Sequence, residues 1–220
     1  LYSPDLLIQV TLTGQLALLV LIESLELAGF RVISANTDGV VTLVPTERTD
    51  EFNAMVAAWE MSSGFTTEET EYAALYSKDV NNYIAVKPDG STKLKGLYAT
   101  DGLQKNPTNA VCVEAVIRHL THGTRPEDYI YLCKDVSKFL TIRQVKGGAV
   151  YGRQYLGKAV RWYYSVRGLG QHIAYATNGN KVARSEGARP LMELPDSVPT
   201  DLDCDWYIRE AQSILSDVGL

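Results

Sequence analysis

Asp38 sits in the tetrapeptide Asn36-Thr37-Asp38-Gly39, between the β-branched runs Phe30 to Ala35 and Val40 to Val44. Asn, Asp and Gly tolerate left-handed backbone angles, so the stretch predicts a β-hairpin with Asp38 at its tip. A carboxylate held out on a rigid turn suits a hard cation such as Mg²⁺, which takes a few oxygen ligands and keeps its waters. The plainer alternative is an aspartate that only bonds its own backbone. A second chemical signal lies in the cations. Residues 81–192 hold 17 of the 21 Lys and Arg against 7 acids, a balance of +10, whereas 1–80 and 193–220 carry −9 and −6. Tyr83, Tyr98, Tyr151, Tyr155, Trp162, Tyr163 and Tyr164 are interleaved with those cations. Cations neutralise phosphates and aromatic planes pack on sugars and bases, so the segment reads as a polyanion-binding face. A solvated basic surface has the same composition.

Other candidates carry less. His119 and His122 lie three apart without a third ligand nearby and read as polar residues beside the helix stop at Gly123. Cys112, Cys133 and Cys204 are odd in number and form no CxxC pair, which fits a reduced, cytoplasmic compartment. Asp203 and Asp205 offer a carboxylate pair for a hydrolase or transferase. Their place before Trp206, Tyr207 and Ile208 reads more readily as solvated positions leading into a docked helix.

The elements that must position these groups are legible in outline. Asp5 to Ala28 is Leu-, Ile- and Val-rich up to Gly29 and predicts a long, nearly all-round apolar helix, of the kind that lies inside a core. Phe52, Met55, Val56 and Trp59 mark one face of a second helix. Tyr72 to Tyr76, Asn82 to Lys87 and Thr92 to Tyr98 predict strands, the last two joined through Pro88-Asp89-Gly90. Asn106-Pro107 predicts a helix start running to His122, and Pro126 a shorter one. From Leu140 the pattern loosens into Gly-rich turns, the aromatic and basic run Tyr155 to Val166, and a hairpin around Asn178-Gly179-Asn180, before a final helix with Trp206, Ile208 and Ile214. The class is therefore α+β, an antiparallel sheet covered by helices on one side followed by a mixed helical and short-strand subdomain, with a boundary near residue 100 (1–100 and 101–220).

The 220 residues, 45% hydrophobic and 21% charged with net charge −5, describe a globular protein and exclude disorder and fibrous repeats. The longest unbroken apolar run, Leu16 to Ile22, falls short of the roughly 20 residues a bilayer crossing needs, so no membrane partner is expected. Leu1 follows no visible leader, and the chain reads as a piece of something longer.

The stretch Arg31-Val-Ile-Ser-Ala-Asn-Thr-Asp-Gly-Val-Val41, arriving after a long Leu-rich helix, resembles the palm hairpin of family B DNA polymerases, particularly those of phages. That family carries Asp-Thr-Asp-Ser at the turn. Its second aspartate, a metal ligand, falls on Asp38; its first falls on Asn36, which keeps a carbonyl oxygen but loses the charge, and its serine on Gly39. Asn81-Asn-Tyr-Ile-Ala-Val86 and Lys93-Leu-Lys-Gly96 are similar to the family's Lys-Lys-x-Tyr strand and Lys-x-Lys-Gly return, which grip the primer and template along the minor groove. Tyr155 to Tyr164 looks like a thumb segment, and Asp203-Cys-Asp-Trp-Tyr-Ile208 resembles the closing motif that docks the last helix.

The resemblance covers nearly the whole chain, as the second half of a palm plus a thumb. It implies a DNA-directed DNA polymerase that adds deoxynucleotides to a primer 3′ end through two Mg²⁺ ions, working in a phage or bacterial cytoplasm. Asp38 would be the catalytic metal ligand, with Asn36 beside it. Asn81, Asn82, Tyr83, Lys93, Lys95, Lys158 and Arg161 would contact primer–template DNA. The family's partner aspartate and its triphosphate-binding helix lie upstream, so this piece is expected to bind DNA without extending it. The runner-up is a non-catalytic duplex-DNA-binding module with a degenerate palm hairpin.

Overall fold

The computed structural model describes residues 3–99 and 107–220. The chain divides into two compact units, Leu1–Glu71 and Tyr72–Leu220. The architecture is α+β, with the strands distributed over three antiparallel sheets.

The first unit runs α1 (Pro4–Leu27), β1 (Arg31–Ala35), β2 (Val40–Leu43) and α2 (Thr49–Ser63). Ser3 caps α1 and Pro4 opens it, an arrangement that supplies an acceptor where the first turn has spare N–H donors. The small core holds Leu21, Leu25 and Phe30, with Val32, Val40, Phe52, Met55, Val56 and Trp59 against them. Three polar contacts pin the hairpin and α2 to α1. Val32 N–H donates to Glu26 Oε1 at 2.6 Å, Arg48 Nη2 to Ala28 O at 2.8 Å, and Trp59 Nε1 to Ala17 O at 2.9 Å.

The core position expected for α1 holds only near its C-terminus. Leu6, Leu7, Ile8, Val10, Leu12 and Leu16 are exposed, and Leu21 and Leu25 are the buried residues of the helix. The reason is length: the 15-residue α2 covers fewer turns than the 24-residue α1 presents. At about 1.5 Å per residue, α1 is long and apolar enough to cross a membrane. The unbroken-run criterion missed this because Gln9, Thr11, Thr13 and Gln15 interrupt the run without interrupting the helix.

The second unit begins with a three-stranded sheet, β3 (Ala74–Asp79), β4 (Asn82–Val86) and β5 (Thr92–Lys95), in that order. Ile84 and Tyr98 belong to the large core of this unit, with Tyr76 and Leu94 packed on it. That packing explains why the division falls after Glu71, whereas the composition shift lies near residue 100. Helices α3 (Ala110–His122) and α4 (Pro126–Leu132) follow. Asn106 lies outside the described residues. The helix starts after Asn109 instead, because Pro107 and Thr108 are taken by β6: Ile142 N–H donates to Pro107 O, and Thr108 bridges Thr141.

The four-stranded sheet has the order β8 (Ala174–Tyr175), β6 (Thr141–Tyr151), β7 (Gln154–Tyr164), β9 (Ala188–Pro190). β6 and β7 have 11 residues each, longer than the loosened pattern suggested. Register shifts between Gln144 and Val150, where Gly147 and Gly148 take positive φ, break the two-residue alternation that would have announced them.

Helix α5 (Cys204–Asp217) closes the unit. Asp203 caps it, accepting from Trp206 N–H at 2.9 Å. Trp206 stacks on Tyr164, their planes 11° apart. The fully buried Tyr207 hydroxyl accepts from Tyr164 N–H at 2.9 Å and donates to Phe139 O at 2.7 Å. Burial pushes its phenol well above the ordinary tyrosine range.

Candidate nucleic-acid interface

In the first unit the hairpin turn forms as its residue types dictate. Ala35 pairs Val40, Asn36 N–H donates to Gly39 O at 2.9 Å, and Asp38 N–H donates to Asn36 Oδ1 at 3.2 Å. The Asn36 amide oxygen thus closes the turn, and the Asp38 carboxylate is left exposed at the tip. A divalent cation needs several oxygen ligands converging on one point. Among the described residues no three Asp, Glu, His or Cys side chains gather in that way. The hairpin supplies one exposed carboxylate and one engaged amide, an incomplete donor set for the two-ion centre that the resemblance implies.

In the second unit the grip candidates occupy β4 and β5. Tyr83 pairs Lys95 and Ala85 pairs Lys93, so Tyr83, Lys93 and Lys95 share the sheet face opposite Ile84 and Leu94. Lys95 Nζ lies 5.8 Å from the centre of the Tyr83 ring, within cation–π range. Asn81 is exposed in the turn just before β4 and its N–H donates to Asp79 Oδ1 at 2.8 Å. Asn82 differs from the expectation of a minor-groove contact. Its Nδ2 donates to both oxygens of Asp79 at 2.9 and 2.8 Å, and its Oδ1 accepts from Leu97 N–H at 2.8 Å. Both ends of that amide are spent inside the protein. The Asp79 carboxyl is held below the usual carboxylate range, chiefly by the Asn82 side chain and then by the Asn81 N–H.

Lys158 and Arg161 both lie on β7, but strand alternation puts Lys158 with Val160 and Trp162, and Arg161 with Ala159 and Tyr163. They serve opposite faces. Lys158 is exposed; Arg161 is half-buried, and its Nε is buried without a hydrogen-bond partner among the described residues. A guanidinium in that state favours an incoming anion, because the desolvation has already been incurred.

The sequence segment around these strands contains a signal stronger than the overall charge balance. From Val136 to Ser185 there are nine Lys and Arg and no Asp or Glu. Lys138, Lys181 and Arg184 pair with Glu114, Glu186 and Glu210. Arg143, Lys146, Arg153, Lys158, Arg161 and Arg167 form no ion pair among the described residues. Five of these six lie on β6, β7 and the turn between them.

The remaining candidates are structural. His119 Nδ1 lies 3.1 Å from Thr124 O and His122 Nδ1 2.6 Å from Thr121 Oγ1, at the end of α3. Asp203 is the α5 cap, and Asp205 accepts from Tyr131 at 3.3 Å. Cys112 is buried, which pushes its thiol up, and all three cysteines are free.

Sequence reading missed Asp201. This buried carboxylate accepts from Tyr163 and Ser165, each at 2.8 Å, and from Arg189. Burial alone would raise its carboxyl, but the hydrogen bonds from Ser165, Tyr163 and Arg189 outweigh it and hold the group below the usual range. A lone acid in an acidic tail carries no signal for such a role. Asp201→Ala lowers the unfolding free energy at pH 7 by about 3 kcal/mol, since it strands two buried hydroxyls and a guanidinium. A depressed carboxylate stabilises above its unfolded value of about 4 and loses that contribution as pH falls through the folded value. The gap between wild type and variant in urea titrations therefore stays constant from pH 7 to about 4 and closes below. An unchanged midpoint at pH 7 would refute the assignment.

No protein-family model matches this chain, and no curated protein matches it.

Proposed function

We propose that this chain is the hairpin-bearing palm portion and thumb of a DNA polymerase resembling family B, and that its own work is to hold primer–template duplex. The observation that carries the proposal is the carboxylate-free stretch Val136 to Ser185, which contains the β6–β7 ribbon and six cations that form no ion pair among the described residues, five of them on the ribbon. Phosphate is the counter-charge that such a surface selects. The shared face of Tyr83, Lys93 and Lys95 adds a ring and two cations at the positions where the resemblance implies minor-groove contact. The exposed Asp38 tip supplies one carboxylate. On this reading the second comes from another part of the polymerase, as do the residues that bind deoxynucleoside triphosphates.

A second reading, a non-catalytic duplex-binding module, is favoured by the engagement of Asn36 Oδ1 with the Asp38 N–H. Fluorescence anisotropy with a labelled primer–template tests what both readings share: saturable binding is expected, and its absence overturns both. Manganese-enhanced NMR relaxation in a polymerase polypeptide containing this chain separates them. Enhancement centred on residues 36–39 supports the catalytic reading, and none supports the module.

A further inference from the structure

We infer that Asn82 is a positioning residue, part of a clamp that sets Lys95 over Tyr83 for contact with the duplex; the inference rests on the DNA-binding reading above. Lys95 is the last residue of β5, where a strand end would ordinarily fray. Here it is fixed from both sides. Ahead of β4, Asp79 is held by Asn81 N–H and by the Asn82 amide. Beyond β5, Leu97 N–H donates to Asn82 Oδ1. One side chain therefore ties the β3–β4 turn to the residue that follows the Lys95-Gly96 step.

Gly96 completes the clamp. It takes φ +64°, and a Cβ there would collide with Asn81 O and Asn82 Oδ1, so the chain can pass this close to β4 only without a side chain. The turn at Gly96 is thus built around the Asn82 amide, and the register that places Lys95 opposite Tyr83 ends at that point. Asn82 cannot also serve the groove, because its donor and acceptor are already committed. Its effect on DNA passes through Lys95.

The test is a double-mutant cycle on the full chain, read as affinity for a primer–template duplex and as the slope of log affinity against log salt. Asn82→Ala lowers affinity by about fivefold and flattens the slope by about one, the signature of one lost phosphate contact. In a Lys95→Gln background the same substitution costs less than about twofold, whereas with Lys158→Gln, on a different sheet, the two losses multiply. Asn82→Asp provides a second variant of equal size. It keeps the acceptor for Leu97 N–H and replaces the Asp79 bond with like-charge repulsion, and its loss is likewise absorbed by Lys95→Gln. Full multiplication of either Asn82 variant with Lys95→Gln, or unchanged affinity, overturns the positioning role. A wild-type chain that does not bind duplex overturns the functional reading instead.

Discussion

Raising salt from 50 to 200 mM lowers the affinity of this chain for primer–template duplex by about fortyfold to a thousandfold. The bounds follow from counterion release, which gives a log–log slope of about −0.9 per neutralised phosphate. Arg143, Lys146, Arg153, Lys158, Arg161 and Arg167 have no ion pair among the described residues to break, so each is available to phosphate at little electrostatic cost there. All six engaged would give about a thousandfold; three would give about fortyfold, as for a duplex resting on one face of the ribbon. Lys158 and Arg161 point to opposite faces, so single Gln substitutions identify the bound face: only one of the two flattens the slope. Equilibrium titrations at four salt concentrations suffice. A change below about threefold means that the surface does not read phosphate.

Asp38→Ala abolishes primer extension by a polymerase polypeptide containing this chain, by at least about a hundredfold, and leaves duplex affinity unchanged. The separation follows from position. Asp38 is an exposed carboxylate at the end of a two-stranded hairpin, and its backbone N–H, not its side chain, makes the turn's hydrogen bond. Its removal costs the fold little and removes the one carboxylate the hairpin presents. Asn36→Ala behaves differently: it deletes the acceptor that closes the turn, so it loosens the tip and lowers extension without removing a charge. Full extension by Asp38→Ala ends the catalytic assignment and leaves the binding module. The affinity arm guards against a variant that fails only because it no longer binds DNA.

The hairpin was legible because Asn, Asp and Gly cluster between β-branched runs, a local rule that tertiary contacts had no reason to override. The α2 face was legible for a similar reason, since its apolar spacing has one helical solution. The burial of α1 was not, because an all-round apolar sequence states what a helix would bury and not how much of it finds a neighbour. β6 and β7 were hidden by their glycines: Gly147, Gly148 and Gly157 at positive φ turn the ladder through bulges and spoil its period. The common face of Lys93 and Lys95 emerges from the β4–β5 register. The commitment of Asn82 could not be read, since it depends on where Asp79 and Leu97 arrive after folding. Asp201 is the same kind of case, its donors lying on two stretches of chain, Tyr163 with Ser165 and Arg189, that are distant from it in sequence.

The Tyr207 hydroxyl joins α5 to the last residue of β7 and to the turn before β6, accepting a hydrogen bond from one and donating one to the other. No helix held by a shared atom of that kind can peel away by itself. Amide hydrogens along α5 and the inner half of β7 therefore exchange with solvent as one cooperative block, and a Tyr207→Phe substitution splits that block in two.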